Sequence, residues 1–235
     1  MLSQSEIKKK VGAYAADHVQ DGMAIGIGSG STVYFFIEEI GRMVAGGLNL
    51  IAVPTSLETD RLCRQWHIPL ASLDEIDELD LTVDGADEID PAWNLIKGGG
   101  GALLQEKIVA GNSARLIIIA DESKLVPSLG SFPLPVEVIP FGHRQVANKI
   151  LAIAGCREVT VRARDGELYR TDHHHYILDC LFDKMGDPGS LNTQIHLIPG
   201  VVETGLFVNM TSEIIIGYAD GTVKAVTDKP GGHPA

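Results

Sequence analysis

Through the first 120 residues, short apolar runs alternate with stretches whose apolar residues recur at helical spacing. That alternation is what most constrains the chain. Parallel strands need a long crossover between them, and a helix fills it, so the expected product is a parallel sheet covered on both faces. Ser3 followed by Glu6 has the form of a capping box, and Ile7, Val11, Tyr14, Ala15 and His18 continue from it at helical spacing. Strands are expected over 23–27, 50–53, 79–83 and 116–120. Helices are expected over 32–43, from Thr55 and Glu58 towards His67, and over 102–110.

The pattern changes near Pro127. Ser131-Phe132-Pro133-Leu134-Pro135 is a natural boundary, because each proline breaks a helix and lacks a ladder donor. Beyond it the chain reads strand 136–139, helix 145–153, strand 158–162, strand 176–182, helix 190–197 and strand 201–207. That β-α-β-β-α-β order is ferredoxin-like. Two further strands, 213–218 and 222–226, form an expected hairpin across Ala219-Asp220-Gly221 and are assigned back to the first domain. The expected organisation is therefore a Rossmann-like α/β domain over 1–130 plus 208–228, a smaller ferredoxin-like α+β domain over 131–207, and a disordered tail over 229–235 rich in Pro and Gly.

Composition narrows the function. The 235 residues carry a formal net charge of −12. Such an acidic chain disfavours nucleic acid and anionic lipid, so an anionic substrate needs a local positive pocket. No apolar run is long enough to span a bilayer, and the first residues show no apolar signal-peptide core. The 3 cysteines, Cys63, Cys156 and Cys180, lie far apart. They suit reduced thiols in a cytoplasmic protein better than a disulfide framework.

Three segments carry chemistry. Gly26-Ile27-Gly28-Ser29-Gly30-Ser31-Thr32 follows a strand and opens a helix. Glycines let the backbone turn sharply, and the helix N-terminus adds partial positive charge, so an anion fits there. Ser29, Ser31 and Thr32 offer hydroxyl donors to phosphate oxygens. A plain tight turn is the competing reading. A dinucleotide loop fits poorly, since Val33 stands where its third glycine belongs. A Walker loop lacks its lysine before Ser31-Thr32.

Asp84-Gly85-Ala86-Asp87-Glu88-Ile89-Asp90 follows the third expected strand. A solvated acidic turn and a Ca²⁺ loop are alternatives, although the EF-hand spacing is missing. At the carboxyl end of a parallel strand, Asp84 and Asp87 can accept hydrogen bonds from sugar hydroxyls. Lys97-Gly98-Gly99-Gly100-Gly101 then runs into Ala102-Leu103-Leu104-Gln105-Glu106-Lys107. Four consecutive glycines cost backbone entropy, so a purely structural loop seldom needs them. A cation at 97 and a carboxylate at 106 facing one pocket suit proton abstraction next to a carbonyl. Taken alone, Glu106 reads as a solvated helix-face glutamate. His173, His174 and His175 are read as strand residues that point alternately to opposite faces, which makes a shared metal ion improbable.

Together these segments resemble the ribose-5-phosphate isomerase A family. The likeness runs from about Glu6 to Val226 and rests on 28–32, 83–88, 97–100, Glu106-Lys107, Ala120-Asp121-Glu122-Ser123-Lys124 and 132–137. The resemblance implies interconversion of D-ribose 5-phosphate and D-ribulose 5-phosphate through a cis-enediol(ate), with no cofactor and no metal, in a homodimer or homotetramer. It implies Glu106 as the base, aided by Asp84 and Lys97. Ser29, Gly30, Ser31, Thr32, Asp84, Gly85, Ala86, Asp87, Lys97, Gly98, Gly99, Gly100 and Lys124 fall at its substrate-binding positions, and Lys8 near its phosphate. Ser29 replaces a frequent threonine and keeps the hydroxyl. Gln105 replaces a frequent arginine and removes a positive charge. Two alternatives are a coenzyme A transferase-like enzyme with Glu106 as nucleophile, and a non-catalytic sugar-phosphate sensor.

Overall fold

The computed structural model describes residues 2–183 and 185–227, so the expected tail at 229–235 lies outside the described residues. In chain order the strands are β1 (Ala24–Ile27), β2 (Ile51–Pro54), β3 (Leu81–Asp84), β4 (Glu88–Ile89), β5 (Leu95–Ile96), β6 (Leu116–Asp121) and β7 (Leu134–Val138). They continue as β8 (Cys156–Val161), β9 (Ala163–Arg164), β10 (Glu167–Leu168), β11 (Tyr176–Phe182), β12 (Val201–Thr204), β13 (Leu206–Phe207), β14 (Glu213–Gly217) and β15 (Val223–Val226). The helices are α1 (Gln4–Ala16), α2 (Val33–Ala45), α3 (Leu57–Gln65), α4 (Leu103–Gly111), α5 (His143–Leu151) and α6 (Pro188–His196).

The chain divides into two compact units. The first runs up to Ala86, then Gln105–Lys124, then onward from Met210. Its six-stranded sheet has the order β15-β14-β6-β3-β1-β2, parallel except for β15. β3 and β6 are buried along their whole length, and β6 accordingly reads as an unbroken apolar run from Leu116 to Ala120. Ile25, Ile27, Val83, Ile117 and Ile119 form the centre of the core with Phe36 and Ile40 of α2. Cutting one of these isoleucines to alanine costs about 2–5 kcal/mol. The Ser3–Glu6 capping box opens α1 as expected. α3 is capped by Ser56 rather than Thr55: Thr55 is fully buried, and its hydroxyl turns to Ser29 instead.

In this sheet the chain leaves β1 towards β2 on one side and continues through β3 on the other. Ile27 O accepts from Thr55 N at 3.0 Å, and Val83 O accepts from Gly28 N at 2.9 Å. The carboxyl ends of β1 and β3 therefore flank a topological switch point, where open α/β sheets bind their ligands.

The second unit comprises Asp87–Leu104 and Leu125–Asn209. Its four-stranded antiparallel sheet has the order β12-β7-β11-β8, and with α5 and α6 it makes the expected ferredoxin-like β-α-β-β-α-β pattern. The expected boundaries at 130/131 and 207/208 differ from those observed. Segment 87–104 groups with the second unit because β5 pairs with β13, Leu206 opposite Ile96 and Phe207 opposite Leu95, and β4 pairs in turn with β5. Glu88 adds a tie, accepting from Gly130 N at 2.7 Å and Phe132 N at 2.6 Å. Pro135 lies inside β7 near its start, where a missing N–H costs little. The expected strand 201–207 is broken at Gly205, whose N–H reaches Pro135 O at 2.7 Å. The histidine run is not in a strand either. Its residues occupy a turn with His174 at φ 62°, and His175 Nδ1 lies 3.0 Å from the buried Glu137 carboxylate.

Candidate active site

In the first unit, the loop after β1 is built around Asp84. This carboxylate is fully buried at the end of β3, and its Oδ1 accepts from Ser29 N at 3.1 Å and Gly85 N at 2.7 Å. A Cβ on Gly28 would sit 2.1 Å from the same oxygen, so only glycine lets the loop pass this close. Gly30 has φ 110°, the left-handed conformation that favours glycine.

The loop's hydroxyls divide into two groups. Ser29 Oγ lies 3.0 Å from Thr55 Oγ1, 2.8 Å from Ser56 Oγ and 3.0 Å from Thr59 Oγ1. Thr59 Oγ1 also lies within reach of Gly28 O, at 2.8 Å. Ser29 is thus surrounded by neighbours that anchor the loop to the start of α3. Ser31 differs: its Oγ accepts from Lys8 Nζ at 2.8 Å, which leaves its hydroxyl proton free to donate outwards. Lys8, Gly30 and Ser31 line a cleft of about 520 Å³ together with Gln4, Tyr34 and Glu58. Thr32 is buried at the head of α2 and makes no side-chain cap bond there.

Asp121, at the end of β6, sits beside this arm. Burial works to raise its pKa, but donation from the Ser123 side chain and backbone, Gln4 Nε2 at 3.3 Å and the charge of Lys8 outweigh it. The carboxyl is held below its ordinary range. Lys124 closes the following single-turn helix, half-buried. Glu106 lies in the first turn of α4 and is only 5% exposed, so the solvated helix-face reading fails. Gln105 beside it is partly buried.

The second unit carries the glycine turn. Lys97 is 3% exposed, its Nζ 5.4 Å from the centre of the Phe207 ring, and its backbone N–H donates to Gly205 O at 2.9 Å. Asp87 accepts from Gly99 N at 2.8 Å. Arg162 Nη1 donates to Gly98 O at 2.8 Å and Gly99 O at 3.2 Å, and Tyr169 Oη to Gly100 O at 3.2 Å. Sequence reading missed Arg162, Tyr169, Thr55, Ser56 and Thr59 as contributors. Their partners are remote in sequence, and nothing local marks them.

The family profile described as Ribose 5-phosphate isomerase A (phosphoriboisomerase A) matches residues 51–221. A Ribose-5-phosphate isomerase A of Bacillus mycoides is 54% identical over 92% of this chain and 97% of its own length. The chain belongs to the ribose 5-phosphate isomerase A family. Solved structures of ribose 5-phosphate isomerases agree. That from Plasmodium falciparum is 41% identical with TM-score 0.92, covering 96% of this chain and 99% of its own. A D-ribose-5-phosphate isomerase in complex with phospho-erythronic acid is 36% identical with TM-score 0.92, covering 97% and 100%. Neither the coenzyme A transferase reading nor the sensor reading gains support from these relatives.

Proposed function

We propose that the protein interconverts D-ribose 5-phosphate and D-ribulose 5-phosphate, with Glu106 as the base, in the non-oxidative branch of the pentose phosphate pathway. One observation carries the assignment of the base: Glu106 is a buried carboxylate in the first turn of the helix that follows the four glycines. Burial of a carboxylate is costly, and in a member of this family it supports a catalytic assignment for this glutamate.

The reaction shifts two protons and leaves the number of electrons unchanged. Glu106 takes the proton from C2 of the open aldose, and the electron pair moves onto the C1 carbonyl oxygen to give a cis-enediol(ate). The same carboxyl returns the proton to C1, while the O2 proton passes to O1. One base on one face suffices, and no external oxidant, reductant or cofactor is needed. A positioned base contributes roughly 10²–10⁴-fold. Lys97 and glycine N–H groups are assigned to the developing oxyanion, where one lost donor costs about 3–4 kcal/mol.

Asp84 and Asp87 are assigned to sugar hydroxyls and ring opening, with Gly85 and Ala86 shaping that turn. Lys8, Ser31, Thr32 and Lys124 are assigned to the phosphate. Gly30 supplies the turn that presents them, and Ser29 anchors it. Phosphate binding far from the reacting carbons positions them without taking part in the chemistry. A phospho-erythronate bound to a relative fits this reading, because its planar carboxylate resembles the two oxygens of an enediolate. A cytoplasmic location and a homodimeric or homotetrameric state complete the proposal. The scattered, free cysteines suit a reducing compartment, and burial pushes the Cys63 thiol up to about 12.

The test is direct. The purified, chelator-treated protein is given D-ribose 5-phosphate alone and followed by NMR. Ketose signals rising to an equilibrium mixture are the expected result. A spectrum that stays that of the aldose would remove the proposal.

A further inference from the structure

The four glycines at 98–101 are bare for different reasons. Gly98 and Gly101 hold φ of 104° and 93°, and a Cβ there would meet Leu103 Cδ2 at 2.7 Å and Tyr169 Oη at 2.2 Å. A Cβ on Gly99 would press on the Asp87 carboxylate at 2.8 Å. Packing and backbone therefore account for three of them. Gly100 has no positive φ, is exposed, and would meet nothing within 4 Å. Its missing side chain has no packing reason.

The peptide planes on either side of Gly100 are fixed from one direction. Arg162 Nη1 holds the carbonyls of Gly98 and Gly99, and Tyr169 Oη holds that of Gly100. Arg162 is itself locked by Asp179, through Nε to Oδ2 at 2.9 Å and Nη2 to Oδ1, and its side chain is only 13% exposed. A trans peptide is flat, with its C=O and following N–H pointing opposite ways. Holding Gly98 O on Arg162 turns Gly99 N–H towards Asp87, which takes it at 2.8 Å. Holding Gly99 O there likewise turns Gly100 N–H away from the guanidinium. Among the described residues this N–H has no acceptor.

We propose that Arg162, locked by Asp179, is a positioning residue for the isomerisation. It aims Gly100 N–H outwards as a preorganised donor to the oxygen that becomes negative, and Gly100 is bare so that the sugar can approach that N–H. This inference rests on the isomerase reading. A donor fixed before reaction needs no reorganisation when charge develops, and a loop misplaced by about 1 Å loses about 10²-fold in rate.

The test uses the full chain with Arg162→Met, Arg162→Ala and Gly100→Ala, measuring kcat, KM and Tm below the unfolding range. Arg162→Met is expected to lose about 10²-fold in kcat while KM changes less than about threefold, since the phosphate residues are elsewhere. Guanidinium ion at millimolar concentration is expected to restore part of the rate of Arg162→Ala and none to wild type. Gly100→Ala is expected to keep its Tm within about 2 °C yet fall at least about tenfold in kcat/KM. A folded Arg162 variant with wild-type kcat, or Gly100→Ala with wild-type activity, overturns the inference. So does a loss that guanidinium leaves untouched and that falls equally on kcat, KM and Tm, because that marks a structural role alone. Failure of the isomerase reading looks different: wild type itself would then make no ketose.

Discussion

The loop at 28–32 and the turn at 98–101, both assigned to the substrate in the proposal above, are secured by different chemistry. The first is fastened at its side chains by neutral hydroxyls, Ser29 among Thr55, Ser56 and Thr59, while the Asp84 carboxylate receives two of its N–H groups. The second hangs on one charged hub, Arg162, which bridges Asp179 and two glycine carbonyls. Four hydroxyls share their bonds, so losing one leaves the others in place, at about 1 kcal/mol each. A guanidinium cannot be shared in this way. Its removal strands Asp179 and releases both carbonyls at once. The first loop is therefore tolerant of losing one hydroxyl, and the second is brittle to the loss of Arg162.

The largest expected effect sits on the helix that follows the brittle turn. Glu106→Gln should lower kcat by about 10²–10⁴-fold with KM nearly unchanged. Retention of activity within about tenfold would show that neither loop serves this carboxylate. Next comes the contrast itself. Arg162→Met should lower unfolding free energy by roughly 3 kcal/mol in urea titrations. Thr59→Val should lower it by about 1 kcal/mol and leave kcat near normal. Equal losses would erase the distinction between the loops. Lys124→Ala should raise KM several-fold with little change in kcat, and an unaltered KM would take it out of the phosphate set.

The smallest effect is a pH dependence beside the tolerant loop. The carboxyl of Asp121 is held below its unfolded value of 3.8. Its contribution is therefore present above that value and is lost as pH falls through the lower, folded one. Asp121→Asn should cost about 1 kcal/mol at pH 7, and the gap to wild type should close as pH falls below 3.8 and through the lower, folded value. A gap that stays constant with pH would contradict a lowered carboxyl at 121.

Much of the first loop was legible in the sequence, because its signals are local. A strand, a run of glycines and hydroxyls, and a helix start lie within ten residues, and Asp84 ends its own strand. The four glycines and Glu106 were legible for the same reason. What supports them was not. Arg162 is 64 residues from Gly98, and in sequence it is only the end of a strand. β4 and β5 are two residues each, too short for any periodicity, so nothing in the sequence ties segment 87–104 to the second unit. The histidine run turns at His174, which no apolar pattern could foretell.

The most direct test of the account follows hydrogen rather than turnover. D-ribose 5-phosphate is incubated in deuterated water with wild type and with Glu106→Gln, and the sugars are examined by NMR. Wild type should place deuterium at C1 of the ketose and, on reversal, at C2 of the aldose, while Glu106→Gln binds the sugar and exchanges almost nothing. Deuterium entering these positions at comparable rates with both proteins would contradict the claim that this one carboxylate carries the proton.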